Sequence, residues 1–280
     1  MTKTEIVNVE LRSCFMKRIF AAVTALATVM SCSAHAASVT LYDQDFENPN
    51  GYRNDGGDVN IFRTVNDNYG GQPAGFSFAQ AFTVETLNVS GSERGTGTAA
   101  FGTGWDDPSG TGENFAIGML SDVQNDRLGL SFDVGIFPFF NVFVDISSID
   151  LSTFSGPFVP IDGLAPIFRF SLFDNPSGAT TIGGGTLLDS VELTGTASPR
   201  TVFDWTAGAF GLSTDGNTNG NVTLQIDLLQ GGYAAFDNLV LTADDAPPPP
   251  PPPPSPVPLP GGLPLLLGGL GIAMLLRRRK

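Results

Sequence analysis

The chain has 280 residues, with 14 Lys and Arg against 28 Asp and Glu, and its one histidine and two cysteines lie near the start. Residues 37–260 hold six basic residues, all arginine, and 26 acidic ones, which gives a net charge of −20 and leaves no Lys, Cys or His. Ser-His-Asp and Cys-His catalysis, Schiff-base lysines, thiol redox chemistry and His/Cys zinc sites are therefore excluded from this stretch. So negative a surface repels phosphate backbones, and we expect no nucleic-acid partner.

The amino-terminal residues have the pattern of a secretory signal peptide. The basic pair Lys17-Arg18 precedes an apolar run, Ile19–Met30, and small residues surround Ala36. A basic flank, a short apolar core and a small-residue cleavage site are the three parts of such a signal. We predict a signal peptide over residues 1–36 that signal peptidase cleaves after Ala36.

Two details of this segment affect the interpretation. Met16 directly precedes the basic pair, so we interpret residues 1–15 as a misannotated extension. Cys32 allows an alternative, a lipoprotein acylation box ending at that cysteine, although the bulky Met30 fits such a box poorly. After cleavage at Ala36 the mature chain has no cysteine, so a hydrophobic core rather than disulfides must hold it together.

Residues 37–243 carry an all-β pattern. Short alternating apolar runs are separated by Gly, Asn, Asp and Ser clusters, and no window has the spacing of a long amphipathic helix. We predict a single antiparallel jelly-roll-like β-sandwich, with a core built largely from the chain's 22 phenylalanines. The predicted strands are 39–46, 79–89, 114–120, 128–137, 141–151, 167–173, 186–193, 201–205, 222–229 and 235–242.

The carboxyl-terminal region has three parts. Residues 244–256 include eight consecutive prolines and are predicted to form a polyproline II linker. The apolar stretch Val257–Leu276 is just long enough to cross a bilayer as a helix. A basic cluster then acts as a stop on the cytoplasmic side; it consists of Arg277, Arg278, Arg279 and Lys280. The simplest interpretation is a tail anchor in the inner membrane.

Three prolines lie in the first half of that stretch and none in the second, and this distribution indicates more than a plain anchor. The sequence VPLPGGLPLLLGGLGIAMLLRRRK, residues 257–280, resembles the VPLPA-type variant of the PEP-CTERM sorting signals, with Gly261 where alanine is usual. The resemblance implies an exosortase-type processing enzyme of a Gram-negative bacterium as a partner. It implies anchoring in the inner membrane before processing, followed by residence at the cell surface or in the exopolysaccharide-containing extracellular matrix. The sorting motif would be Val257, Pro258, Leu259 and Pro260.

The first and last predicted strands carry a second resemblance. Asp43-Gln44-Asp45-Phe46-Glu47-Asn48 and the segment Tyr233–Thr242 are similar to the opening and closing strands of jelly-roll domains of the carbohydrate-binding-module and concanavalin-like type. The resemblance implies a structural Ca²⁺ held by Glu47 and Asp237, since this ion prefers hard oxygen ligands. The alternative is a solvated Glu47 at a sheet edge and an Asp237 that merely opens its strand.

Another calcium candidate is the segment Asp215–Asn221. It matches the first half of an EF-type loop, but Ile226 occupies the twelfth position, where a carboxylate is needed. Asn-Gly-rich stretches between strands are ordinary hairpin turns, and we favour that interpretation.

Three functions remain open. The first is a non-catalytic exported surface or matrix protein, which we expect. The second is a carbohydrate-binding module, with Trp105 in a polar glycine-rich loop as the ligand-binding aromatic and Trp205 as a core residue. The third is a carboxylate-dependent glycoside hydrolase, although no two glutamates share a strand face. Its candidate residues are Glu47, Glu85, Glu93, Glu113 and Glu192.

Overall fold

The computed structural model describes residues 37–50, 65, 69, 77–81, 84–89, 106–121, 126–149, 165–179, 182–199 and 202–250. The predicted signal peptide, Trp105, the sorting motif and the basic stop lie outside these ranges. No helix in the described ranges is long and apolar enough to cross a membrane.

The described residues form an all-β fold of two antiparallel sheets, as the sequence predicts. Sheet A has six strands, in the order β3-β4-β11-β6-β9 with β1 also paired to β11. Sheet B has five strands in the order β2-β5-β10-β7-β8. The strands are β1 Ser38–Gln44, β2 Ser77–Ala81, β3 Val84–Asn88, β4 Phe115–Met119, β5 Arg127–Asp133, β6 Phe139–Ser148, β7 Ile167–Asp174, β8 Thr186–Thr194, β9 Thr206–Ser213, β10 Asn221–Gln230 and β11 Ala234–Asp244.

Strand β11 occupies the middle of sheet A. One of its edges pairs with β6 along almost its whole length. Its other edge pairs first with β4, over Ala234–Phe236, and then with β1, over Leu239–Asp244. The last strand of the domain therefore holds the first strand in place, and Ala37 lies beside Asp245, whose carboxylate accepts a hydrogen bond from the Ala37 amide at 2.9 Å.

Alternating side chains of the two sheets meet in one phenylalanine-rich core. The ring of Phe236 in sheet A lies edge-on to Phe168 in sheet B, with 6.3 Å between the centroids, and edge-on to Phe46 at 5.8 Å. Phe132 of sheet B contacts Phe140 of sheet A at 5.8 Å. All of these rings except Phe132, which is 8% exposed, are at most 1% exposed, and edge-to-face contacts add to the free energy of burial.

A second, smaller apolar cluster lies on the opposite face of sheet A. Leu87, Ala116 and Ala235 come from neighbouring strands, and Phe203 covers them from the segment that precedes β9. Trp205 is stacked on Phe203 with 5.7 Å between the rings and 9° between their planes. Trp205, predicted as a core residue, is therefore half-buried against this second cluster.

Two strand predictions need correction. The predicted strand 79–89 is two strands, β2 in sheet B and β3 in sheet A. The segment around Phe203 is not a strand; the chain instead forms β9 directly after it. β9 is rich in glycine and alanine and so has no alternating apolar pattern in the sequence. A small residue is needed at position 208, since a Cβ on Gly208 would lie 2.5 Å from Leu193 Cδ2.

Candidate functional sites: an acidic cluster and a polar sheet face

The first candidate site gathers four carboxylates at the junction of β1, β4, β6 and β11. The side chain of Glu47 is held firmly there, because its Oε1 accepts hydrogen bonds from the backbone amides of Asn114 and Phe115, each at 2.8 Å. Its Oε2 accepts another from the Asn114 side chain at 2.8 Å. Glu47 therefore anchors the start of β4 and is not a freely solvated edge residue. We call the group the acidic cluster: Asp45, Glu47, Asp145 and Asp237.

Asp237 is the buried member of the acidic cluster, with 1% of its surface exposed. It lies opposite Asp145 in the register of β11 and β6, at the start of an irregularity that ends at Val240. Its Oδ1 accepts a hydrogen bond from the Asn238 backbone at 2.7 Å. The Asn238 side chain donates to Asp145 at 3.0 Å and to the Thr111 carbonyl at 3.2 Å, which ties the loop before β4 to this position.

Burial and like charges disfavour ionisation of Asp237. The pKa of this carboxyl group is raised from 3.8 to about 9. Burial is the largest cause, the Asn238 amide opposes the shift, and the neighbouring carboxylates of Glu47, Asp145 and Asp45 contribute to it. Glu47 and Asp237, which the sequence singles out from two distant chain ends, are therefore close enough to interact electrostatically.

Backbone strain surrounds the same carboxylates. Three non-glycine residues of the described chain have positive φ: Phe46 at 57°, Glu113 at 39° and Asn238 at 51°. Phe46 separates two members of the acidic cluster, Glu113 precedes the residue that binds Glu47, and Asn238 follows Asp237. Such conformations cost free energy and persist where surrounding contacts over-determine them.

Among the residues that the structure describes, the acidic cluster offers oxygen atoms and has no neutralising cation. Within the described ranges, the one ion pair joins Arg169 to Asp227 on the other sheet. Carboxylate, amide and carbonyl oxygens are the ligands that Ca²⁺ prefers. In that same part of the chain, however, no three His, Cys, Asp or Glu side chains converge closely enough to form a metal-ligand group. An ion there would have to draw on carbonyl and amide oxygens as well.

The loop over the acidic cluster is fixed from its other side. The carboxylate of Asp107 accepts hydrogen bonds from the Gly112 amide at 2.8 Å and from the Trp205 indole at 3.1 Å. The ring of Trp205 fits closely against Gly112, where a Cβ would lie 2.5 Å from Cζ2. The half-buried tryptophan therefore positions the loop that carries Thr111.

The second calcium candidate, Asp215–Asn221, is a turn between β9 and β10. Its side-chain oxygens are used internally, because Asn217 Oδ1 accepts from the Gly220 amide and Asn219 Oδ1 from the Asn221 amide at 3.1 Å. The turn interpretation therefore agrees with the structure. Together with the β5–β6 turn it borders an open groove of about 480 Å³, where the side chain of Ile136 is 99% exposed.

The other candidate site is the face of sheet B that points away from the core. Register places Arg127, Asp227, Arg169 and Glu192 side by side on β5, β10, β7 and β8. The neighbouring row, which contains small and amide side chains, consists of Gly129, Gln225, Ser171 and Ser190. The third row, which contains hydroxyl groups and an apolar pair, consists of Ser131, Thr223, Phe173 and Leu187. We call these twelve residues the polar face: Arg127, Gly129, Ser131, Arg169, Ser171, Phe173, Leu187, Ser190, Glu192, Thr223, Gln225 and Asp227.

Hydrogen bonds lock the centre of the polar face. Asp227, whose side chain is 4% exposed, accepts from Gln225 Nε2 at 2.9 and 3.0 Å and from the Arg169 guanidinium at 3.5 Å. Gln225 Oε1 in turn accepts from the amide of Gly183, which reaches back over the sheet from the β7–β8 connection. The Arg169 side chain is 41% exposed, so its guanidinium contacts Asp227 and remains partly open to solvent.

An apolar pair lies next to this network. Phe173 is opposite Leu187 in the register of β7 and β8, and both point away from the core. Phe173 is half-buried and Leu187 is 53% exposed. The exposed part of the polar face thus combines an aromatic ring and an apolar side chain with the charged and hydroxyl groups of Arg169, Ser190 and Glu192. Sequence inspection missed this site because its residues come from four strands far apart in the chain.

The remaining predicted site residues are dispersed. Trp105 and Glu93 lie outside the described residues. Glu113 is exposed in the loop before β4, Glu85 is half-buried on β3, and Glu192 is exposed on the polar face. The described glutamates therefore occupy separate elements, and Glu47 is already bound to the start of β4.

No family model matches this chain, and no curated protein matches it. Among solved structures, it is similar to the CBM22-1 xylan-binding domain from Paenibacillus barcinonensis Xyn10C, at 9% identity and a TM-score of 0.40, covering 76% of this chain and 99% of that one. A cyclase from Fischerella sp. TAU has 18% identity and a TM-score of 0.40, covering 75% and 99%. TmCBM61, solved with β-1,4-galactotriose, has 10% identity and a TM-score of 0.31, covering 60% and 88%. Likenesses this distant leave function to be argued from the chain's own residues.

The raised pKa of Asp237 predicts how pH affects the metal-free protein. Its carboxyl group stays protonated in the folded state up to about pH 9 but ionises near 3.8 when unfolded. The stability that it contributes is therefore complete below pH 3.8 and is lost as pH rises towards 9. The side chain of Asp237→Asn cannot ionise, so we expect the free energy of unfolding of this variant to fall less between pH 3.8 and about pH 9 than that of the unmodified protein. Urea unfolding in EDTA measures both.

The exposed Asp215 provides the control for this experiment. Asp215→Asn should follow the pH dependence of the unmodified protein, because that carboxylate lies in a solvated turn. Parallel curves for the unmodified protein and Asp237→Asn would show that Asp237 ionises normally.

Proposed function

We propose that this chain is a non-catalytic exported protein whose jelly-roll-like β domain binds carbohydrate at the polar face. The observation that carries the proposal is the partly exposed guanidinium of Arg169, which contacts Asp227 and lies on the same face as the exposed Ser190, Glu192 and Leu187. Sugars present hydroxyl groups at their edges and apolar C–H groups on their ring faces. A surface with fixed donors and acceptors beside an aromatic ring suits both.

The same face gives little support to a hydrolase. Asp227 and Glu192 are two carboxylates on one face, but Arg169 lies between them on β7. Asp227 is also engaged by Gln225 and Arg169. An inverting glycosidase needs the space between its acids for the scissile bond and a water molecule, and this space is taken by a guanidinium here.

We further propose that Glu47 and Asp237 take part in a structural Ca²⁺ site at the acidic cluster. The buried Asp237 with its raised pKa, next to three other carboxylates, supports a cation there. When bound, the ion would supply the positive charge that the described neighbours of this carboxylate lack. Glu47 would continue to hold the start of β4, which would couple the site to the fold.

For the chain ends, we propose export by signal peptidase and sorting by an exosortase-type enzyme acting on Val257–Pro260. The protein would be anchored in the inner membrane first and then reach the cell surface or exopolysaccharide matrix. The short proline-containing motif ahead of the apolar run supports this over a plain anchor, because proline weakens a helix and leaves an extended segment for an active-site cleft.

Carbohydrate binding is tested with two matched truncations of exposed apolar side chains. Leu187→Ala lies on the polar face and should weaken binding to a responsive glycan about tenfold, and Arg169→Ala should weaken it by at least as much. Ile136→Ala lies at the turn between β5 and β6 and should bind normally. Affinity electrophoresis against a panel of soluble polysaccharides measures all three, and equal losses for Leu187→Ala and Ile136→Ala would refute the site.

Calcium binding is tested by calorimetry at pH 7 in two buffers with different ionisation enthalpies. Because Asp237 is protonated in the metal-free state, binding should release about one proton. Ca²⁺ at about 100 times its Kd should stabilise the protein by about 2.7 kcal/mol. Asp237→Asn should abolish the proton release, while Asp215→Asn should not. An unchanged melting temperature in calcium and EDTA would contradict the metal site.

Sorting is tested in the native host by replacing Val257–Pro260 with leucines. The apolar run and basic cluster remain, so the variant should stay membrane-bound at full length, while the natural sequence is cleaved near the motif. Immunoblotting of membrane and surface fractions measures both. Full-length protein in the membrane fraction for both versions would leave the tail as an anchor only.

A further inference from the structure

We infer that the polar face selects an uncharged polysaccharide and rejects chains that bear carboxylate or sulfate groups. This inference rests on the carbohydrate binding proposed above and concerns the chemical class of the ligand.

The charges on the polar face already compensate one another. Its first row alternates in sign across four strands, Arg127, Asp227, Arg169 and Glu192. Arg169 pairs with Asp227 at 3.5 Å and has Glu192 as its other neighbour. Arg127, opposite Asp227, has interactions of its own. Neither described arginine is therefore an uncompensated cation that would gain from meeting an anionic sugar.

The exposed hydrogen-bonding groups favour hydroxyls over anions. Glu192 is exposed at the edge of the row and its carboxylate accepts hydrogen bonds only. A sugar hydroxyl can donate to it and accept from the Arg169 guanidinium or the Ser190 hydroxyl. A uronate or sulfate in the same place has no proton to donate and is repelled by Glu192. Charge-assisted hydrogen bonds to a neutral hydroxyl group therefore use both the negative charge of Glu192 and the positive charge of Arg169.

The domain as a whole adds to this selection. Residues 37–260 carry six arginines against 26 acidic residues. An acidic polymer occupying many positions along the surface would meet this negative field repeatedly, at separations within the Debye length of about 8 Å at physiological salt. An uncharged polymer is neither attracted nor repelled by this field, so its binding affinity should hardly depend on ionic strength.

The test compares two groups of probes in the presence of EDTA, which removes bridging by divalent cations. The neutral probes are xylan, galactan, mannan and β-glucan; the acidic probes are polygalacturonate and alginate. Binding of the mature chain is measured at about 20 mM and about 500 mM NaCl. We expect a neutral polymer to bind with affinities within about twofold at the two salt concentrations, and no binding of the acidic polymers.

Two variants make the outcome specific to the polar face. Arg169→Gln should weaken binding of the neutral polymer about tenfold at both salt concentrations. Glu192→Gln replaces the charged acceptor with a neutral one, so it should weaken binding of the neutral polymer severalfold and also reduce the repulsion of acidic chains. Preferential binding of an acidic polymer that weakens with salt would overturn the inference and leave carbohydrate binding intact. Binding of no polymer would overturn the proposed function and the inference with it.

Discussion

The pairing of β11 in the middle of sheet A is the constraint on which the rest of this structure depends. One strand holds β6 along one edge and both β4 and β1 along the other, so contacts from three distant parts of the chain converge on it. Phe236 on its inner side reaches Phe168 of the opposite sheet. On its other side, Asp237 faces Asp145 and completes the acidic cluster. A change in the register of β11 by one residue would exchange these two side chains between core and cluster.

Burying Asp237 has an electrostatic cost that the fold partly offsets. The irregularity between Asp237 and Val240 turns the Asn238 amide towards the carboxylate, and the Asn238 side chain joins Asp145 to the loop carrying Thr111. Trp205 and Asp107 fix the far side of that loop. The raised pKa of Asp237 indicates that these contacts do not fully compensate for lost hydration and like charges, which is the physical reason for proposing a cation at this place.

The two candidate sites use opposite electrostatic arrangements. The acidic cluster on sheet A concentrates charges of one sign, and it can be relieved by a proton or a cation. The polar face on sheet B alternates its charges and satisfies them within the protein, through Arg169, Asp227 and Gln225. The first arrangement suits a structural role, because its occupant would stabilise the junction of β1, β4 and β11. The second suits recognition, because the buried Asp227 contacts Arg169, whose side chain remains partly exposed.

The sequence alone determined the all-β fold class and most strand positions. Alternating apolar residues and turn clusters are local signals that can be read without the tertiary structure. It did not reveal β9, where Gly208 packs closely against Leu193 and the glycine and alanine residues carry no apolar pattern. It also did not show that Trp205 belongs to the smaller cluster, since strand spacing cannot tell which face a covering segment will occupy. Only the tertiary structure decided the polar face, because a row such as Arg127, Asp227, Arg169 and Glu192 exists through the register of strands that are distant in the chain, and no local interaction encodes that register.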